Sequence, residues 1–152
     1  MIALFAALLL AAAPDATEDL HVEVSTSGGP AGDGIGSIGM RGEREVVLTA
    51  ADGTPCHATM TRVQALRLRR DANKTDPTLW PAADELQDAP PGPVVYMLTV
   101  VRGADRHSIR WVAGSERDLP TDAAALFKTM WRLRADLLRS CIKRRLLPRA
   151  AQ

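Results

Sequence analysis

The sequence lacks a hydrophobic run long enough to span a bilayer, which needs about 20 apolar residues. Its longest apolar run, from Ile2 to Ala13, carries no charge and is followed at once by Pro14 and Asp15. A run of this length is typical of the hydrophobic part of a secretory signal peptide, and an uncleaved membrane anchor is the alternative. We expect cleavage after Ala13, a mature domain over 14–152 without a stable membrane span, and a periplasmic or secreted location.

An excess of charge of one sign is also missing. The formal net charge is +1, whereas proteins that bind a phosphate backbone normally carry a clear basic excess. Nucleic acid is therefore not expected as a partner. The composition is 46% hydrophobic and 24% charged, as in globular proteins, and the mature chain is long enough to bury the core of a single domain.

Residues that carry chemistry are few and scattered. The histidines are His21, His57 and His107, and none stands at a zinc-ligand spacing from a cysteine. His57 directly follows Cys56, and neighbours on a strand point to opposite faces, so the two are not expected to act as base and nucleophile. The acidic cluster over 84–88 is interpreted as solvated surface. We predict a protein that is not an enzyme and has no metal or cofactor.

Cysteine is scarce, with Cys56 and Cys141 as the whole complement. In an exported chain such a pair is expected to form a disulfide. The bridge would tie the region before the first helix to the last helix. By chain-entropy arithmetic, closing so long a loop could add roughly 4 kcal/mol of stability.

Alternation of apolar and polar residues predicts most of an antiparallel sheet. A glycine-rich loop over Ser27–Gly36 follows the first strand, and Val94–Arg102 is apolar on both faces, as in a central strand. We therefore place the hairpin formed by the last two strands at the centre of the sheet. The predicted strands are Leu20–Thr26, Ile35–Met40, Glu43–Ala50, Val94–Arg102 and Arg106–Val112.

The first helix is predicted over 61–73, because Thr61 and Gln64 form a capping box. Its basic face either contacts an acidic partner or is simply solvated. The apolar positions of this helix are Val63, Leu66 and Leu68. The basic ones are Arg62, Arg67, Arg69 and Arg70.

A long amphipathic helix is predicted over 121–147, before Pro148, with a basic last turn at 143–145. A proline-rich loop over 74–93 precedes the hairpin and contains Trp80, either an exposed contact or a residue packed over the sheet. The fold class is therefore α+β: a sheet of four to five strands, one short helix, and a long C-terminal helix on one face. The helical positions expected in the core are Leu126, Met130, Leu133 and Leu137, packed with Ile109 and Trp111.

Four short motifs stand out in the chain: Ser27-Gly28-Gly29, Tyr96-x-Leu98-x-Val100, His107-x-Ile109-x-Trp111 and Leu119-Pro120. With these motifs the chain resembles the emfourin family, small bacterial inhibitors of thermolysin-like metalloproteases such as protealysin. The resemblance runs from about Leu20 to Leu133. It implies a protein-binding domain with a metalloprotease as partner and with Ser27, Gly28 and Gly29 as contact residues. The alternative is an envelope structural or assembly protein that docks through its long basic C-terminal helix.

Overall fold

The computed structural model describes residues 20–30, 32, 34–81, 83 and 92–146, with the backbone alone over 142–146. The predicted signal segment, 1–13, lies outside the described residues. The fold class is α+β, as predicted, with one antiparallel sheet and two helices. The strands are β1 Leu20–Gly29, β2 Ser37–Arg41, β3 Glu45–Thr49, β4 Pro55–Thr59, β5 Gly92–Arg102 and β6 Asp105–Val112. The helices are α1 Arg62–Asn73 and α2 Thr121–Leu146, with single 3₁₀ turns at Pro77–Leu79 and Glu116–Asp118.

The order of the strands across the sheet is β4-β3-β2-β1-β5-β6. The predicted hairpin exists, but its expected central position is wrong, because β6 is an edge strand and β5 lies next to it. The two central strands are β2 and β1, and β1 pairs with β2 on one side and β5 on the other. The sixth strand, β4, is absent from the prediction because the sequence Pro55–Thr59 lacks a clear alternation. It pairs with β3. A proline at the start of an edge strand costs no internal ladder bond.

One face of the sheet carries the core. In the strand register Val24 stands opposite both Ile38 and Leu98, and all three side chains are fully buried. Burying an aliphatic side chain of this size stabilises the fold by about 1.5–3 kcal/mol. Both helices lie over this face, and no described helix covers the opposite one.

Helix α1 begins as predicted. Thr61 is its N-cap, and the reciprocal hydrogen bonds of the capping box with Gln64 are both present. The helix faces the core through Leu68 and two small residues, Ala65 and Ala72. Small residues let a helix approach its neighbours closely, so α1 needs few large apolar side chains on its inner face. The apolar positions Val63 and Leu66 point outward instead, with 76% and 60% of their surface exposed.

Helix α2 crosses the sheet diagonally. Near its start, the ring of Phe127 lies 4.8 Å from that of Trp111 on β6. Near its end, Cys141 forms a disulfide with Cys56 on β4, with the two Cα atoms 6.4 Å apart. The predicted disulfide is therefore present, and so is the predicted helical core. Its residues Leu126, Met130, Leu133 and Leu137 are buried. Ile109 and Trp111 of β6 are buried as well.

The described part of the proline-rich segment contains a capped turn. Asp76 caps the turn at Pro77–Leu79, and the backbone N–H of Asp76 donates to Asp122 at the start of α2. Trp80 belongs to the core, with 7% of its surface exposed. The acidic cluster over 84–88 lies outside the described residues.

Candidate functional site

The predicted contact residues Ser27, Gly28 and Gly29 form the end of β1. All three are buried, and Ser27 retains 6% of its surface exposure. Ser27 pairs with Val95 and Gly29 with Gly92, with a shift of register between them. Pro30, the residue after Gly29, is exposed.

Backbone geometry explains the glycine at position 28. Its φ is +76°, and a Cβ there would lie 2.3 Å from the carbonyl oxygen of Pro93. Its N–H donates to Gly32 and its carbonyl accepts from Gly34, which closes the turn after β1. A residue with a side chain would be strained in φ and would clash with β5. A change of Gly28 to Ala therefore perturbs the fold as well as any contact made here.

A groove between α1 and α2 forms a concavity on the helical layer. Its volume is about 440 Å³. A hydrogen bond of 2.8 Å from the Thr129 hydroxyl to the Asp71 carboxylate joins its two walls. It is lined by Gln64, Arg67, Arg70, Asp71 and Lys74 of α1 and by Ala125, Lys128, Thr129, Arg132, Leu133 and Asp136 of α2.

The lining of this groove is basic, with five cationic side chains against two carboxylates. Both carboxylates are engaged locally, since Asp71 accepts from Arg70 at 3.2 Å and Asp136 accepts from Arg139. Within the described part of the chain, no carboxylate forms an ion pair with the remaining cations. These are Arg67, Lys74, Lys128 and Arg132.

Sequence reasoning identified only half of this groove. The arginines of α1 were visible as a basic face, but nothing local connects them to Lys128 and Arg132. The available signal was the spacing of those two residues, four apart and on one face of α2. Their juxtaposition with α1 is a product of tertiary packing.

A second, more apolar concavity runs along the other side of α2. Its volume is about 570 Å³, and Phe127 and Trp131 form its apolar wall. The rings of both residues pack against Tyr96, with centroids 5.1 and 5.2 Å away. Lys128 and Arg132 line both concavities and so form the ridge between them.

Arg134 is a cation committed to structure. Its guanidinium donates to the carbonyl oxygens of Ile35 at 2.7 Å and Thr49 at 2.9 Å, and it stacks 4.7 Å from the Trp131 ring centre. Burial lowers the pKa of Arg134 below its ordinary value. These bonds join α2 to the ends of β2 and β3, so Arg134 is not a free ligand-binding group.

The face of the sheet away from the helices carries one coupled titratable pair. The Nδ1 of His21 lies 2.6 Å from the Met40 carbonyl oxygen, and its Nε2 lies 3.3 Å from the Glu23 carboxylate. A protonated imidazole can donate to both acceptors. The hydrogen bond between the two side chains accordingly raises the pKa of His21 and lowers the pKa of Glu23.

The other histidines stand apart. His57 is exposed on β4 while its neighbour Cys56 is in the disulfide, and His107 lies on β6 at the other edge of the sheet. Over the residues that the structure describes, no group of three or more His, Cys, Asp or Glu side chains could hold a metal ion. Neither α1 nor the described part of α2 combines the length and apolar character needed to cross a membrane.

No known protein-family model matches the chain, and no curated protein matches it either. The emfourin resemblance therefore rests on the sequence motifs alone. In the fold, the residues of the two strand motifs that point toward the helices belong largely to the core. Tyr96, Leu98 and Val100 of β5 are buried, and so are Ile109 and Trp111 of β6.

Proposed function

We propose that this protein is an exported, non-enzymatic protein-binding domain that holds its partner on the helical layer. The observation that carries the proposal is the outer face of α1. Val63 and Leu66 are 76% and 60% exposed there, beside a groove of about 440 Å³. Exposed aliphatic side chains next to a concave surface are typical of a site for another protein.

Helical spacing joins the apolar pair to the groove. Val63 is four residues before Arg67, and Leu66 is four residues before Arg70, so each aliphatic side chain lies one turn from a cation that lines the groove. The result is a surface with apolar positions at one side and charged positions at the other, which suits a peptide or protein surface of mixed polarity.

Export is supported by the apolar N-terminal run and is compatible with the Cys56–Cys141 disulfide, which persists in oxidising compartments. The emfourin resemblance makes a thermolysin-like metalloprotease the first partner to test. An exported protease inhibitor needs no catalytic group of its own.

The test is inhibition of a thermolysin-like protease by the mature protein at micromolar concentration. Leu66→Gln should weaken inhibition, because it removes an apolar contact while keeping a good helix former. Leu79→Gln is the matched control, since Leu79 is 79% exposed on the turn between α1 and β5. Inhibition that both variants retain in full would keep the function but move the contact to another surface, with the loop after Ser27-Gly28-Gly29 as the next place to examine.

Absence of inhibition would remove the inhibitor hypothesis and leave the more general one. The partner would then be isolated from periplasm and culture supernatant on immobilised mature protein, and its affinity measured by calorimetry with the same two variants. A partner bound equally well by wild type and Leu66→Gln would contradict docking on the helical layer. Turnover of generic ester or peptide substrates by the purified protein would contradict a non-enzymatic role.

A further inference from the structure

We propose that the groove between α1 and α2 receives an acidic segment of the partner, a stretch of peptide that carries at least two carboxylates. This inference rests on the proposed function and specifies the chemistry of the partner at that site. It follows from the charge of the groove walls, the local pairing of the groove's own acids, and the length of the basic track.

Cations line both walls. On α1 they are Arg67, Arg70 and Lys74, which follow one another at spacings of three and four residues and so share one side of the helix. On α2 the facing cations are Lys128 and Arg132, four residues apart. A segment lying in the groove would have positive charge on both sides.

Of these five cations, only Arg70 is paired with a carboxylate among the described residues of the groove. Asp71 is held by the Thr129 hydroxyl at 2.8 Å and by Arg70 at 3.2 Å, and Asp136 is paired with Arg139. The cationic groups with no described ionic partner therefore remain available to a ligand. Such groups gain most from carboxylates, because charge-assisted hydrogen bonds are stronger than neutral ones.

The length of the track favours a short peptide over a nucleic acid. Arg67 and Lys74 are seven residues apart, which is about 10 Å along a helix. An extended peptide covers that distance in about three residues, enough for two carboxylates at alternate positions. A nucleic acid site would need a longer basic surface, and the chain as a whole carries a net charge of only +1. Leu66 and Val63 also give the side chains of a peptide an apolar contact that phosphates cannot use.

The probe is a fluorescein-labelled nonapeptide in which glutamate alternates with leucine, with a glutamine–leucine peptide of the same length as its control. Fluorescence anisotropy of each is measured against the mature protein at about 0.02 M and about 0.5 M salt, since surface charge interactions are strongly screened at the higher value. We expect the glutamate peptide to bind at low salt, to weaken at high salt, and to bind better than the glutamine peptide. Equal binding of the two peptides would overturn the inference.

Charge-reversal variants test whether the cations of the groove bind the peptide. Arg67→Glu with Arg132→Glu reverses one cation on each wall and should weaken binding of the glutamate peptide by about tenfold or more. Arg110→Glu with Arg117→Glu makes the same change in net charge at exposed positions outside the groove and should leave binding near the wild-type value. Equal losses in the two variants would mean that net charge, and not the groove, attracts the peptide. If the first variant fails to fold by circular dichroism, Arg67→Gln with Arg132→Gln replaces it, and unchanged binding by that variant would overturn the inference.

Two further arms separate this inference from its alternatives. Tighter binding of an oligothymidylate, or of vesicles rich in anionic lipid, than of the glutamate peptide would overturn it in favour of those ligands. A partner whose affinity depends on Leu66 but not on Arg67 and Arg132 would contradict the acidic segment and leave the proposed function standing. If the glutamate peptide binds in the groove but no protein partner is found, the proposed function is contradicted. The preference of the groove for acidic peptides would then still stand.

Discussion

Removal of the Cys56–Cys141 disulfide should lower the free energy of unfolding by about 4–5 kcal/mol. The two cysteines are 85 residues apart, and their bridge links the edge strand β4 to α2. In the chain-entropy treatment, releasing a loop of that length raises the entropy of the unfolded chain by about 15 cal/mol/K, which is the stated free energy at 25 °C.

The assay is urea unfolding of oxidised wild type and of a variant with Cys56→Ala and Cys141→Ala, followed by tryptophan fluorescence and circular dichroism. The m-value should rise together with the loss of stability, because an unfolded chain without the crosslink exposes more surface. Wild type reduced with a phosphine keeps both sulfur atoms in place, so a similar loss after reduction would assign the effect to the crosslink and not to side-chain packing.

A loss below about 1 kcal/mol with an unchanged m-value, in a variant that folds normally, would refute this reasoning. It would mean that the unfolded chain is already compact around these two positions or that the native bridge is strained.

Three further predictions concern stability. Leu133→Ala should cost about 2–5 kcal/mol of unfolding free energy because Leu133 is 5% exposed; a loss under about 0.5 kcal/mol in denaturant would place the side chain outside the core. Gly28→Ala should destabilise more than Gly53→Ala, since both glycines have positive φ but no atom lies within 4 Å of a Cβ at Gly53; equal losses would contradict the clash. The His21–Glu23 pair should contribute about 0.2–1 kcal/mol. Its contribution should be largest between pH 4.5, the ordinary pKa of Glu23, and pH 6.5, the ordinary pKa of His21. The contribution should fall as pH rises through the raised pKa of His21. It should also fall as pH drops through the lowered pKa of Glu23. Unfolding free energies of wild type and His21→Asn across this range measure it, and a pH-independent difference would exclude the linkage.

Local pattern determined the kinds of elements in this protein and most of their positions. The alternation in β1, the apolar run of β5 and the capping box at Thr61 are each local preferences of a short piece of chain, and each predicted its element. Strand β1, however, continues to Gly29, three residues into the predicted glycine-rich loop. The apolar positions of α2 are likewise periodic within one helix, so the burial of Leu126 and Met130 could be predicted. The disulfide followed from an even cysteine count and expected export.

The fold decided which elements are neighbours. An apolar run such as β5 shows that both faces of a strand are buried, but its place in the sheet depends on partners far along the chain. The central strands are β1 and β2. In α1 the packed fold buries Ala65 and Ala72 and leaves the larger Val63 and Leu66 outside. The basic groove exists because packing brings basic residues of two helices, such as Arg67 of α1 and Lys128 of α2, to the lining of one concavity. Contacts between distant segments are selected by the burial of the whole core, and no local sequence signal records them.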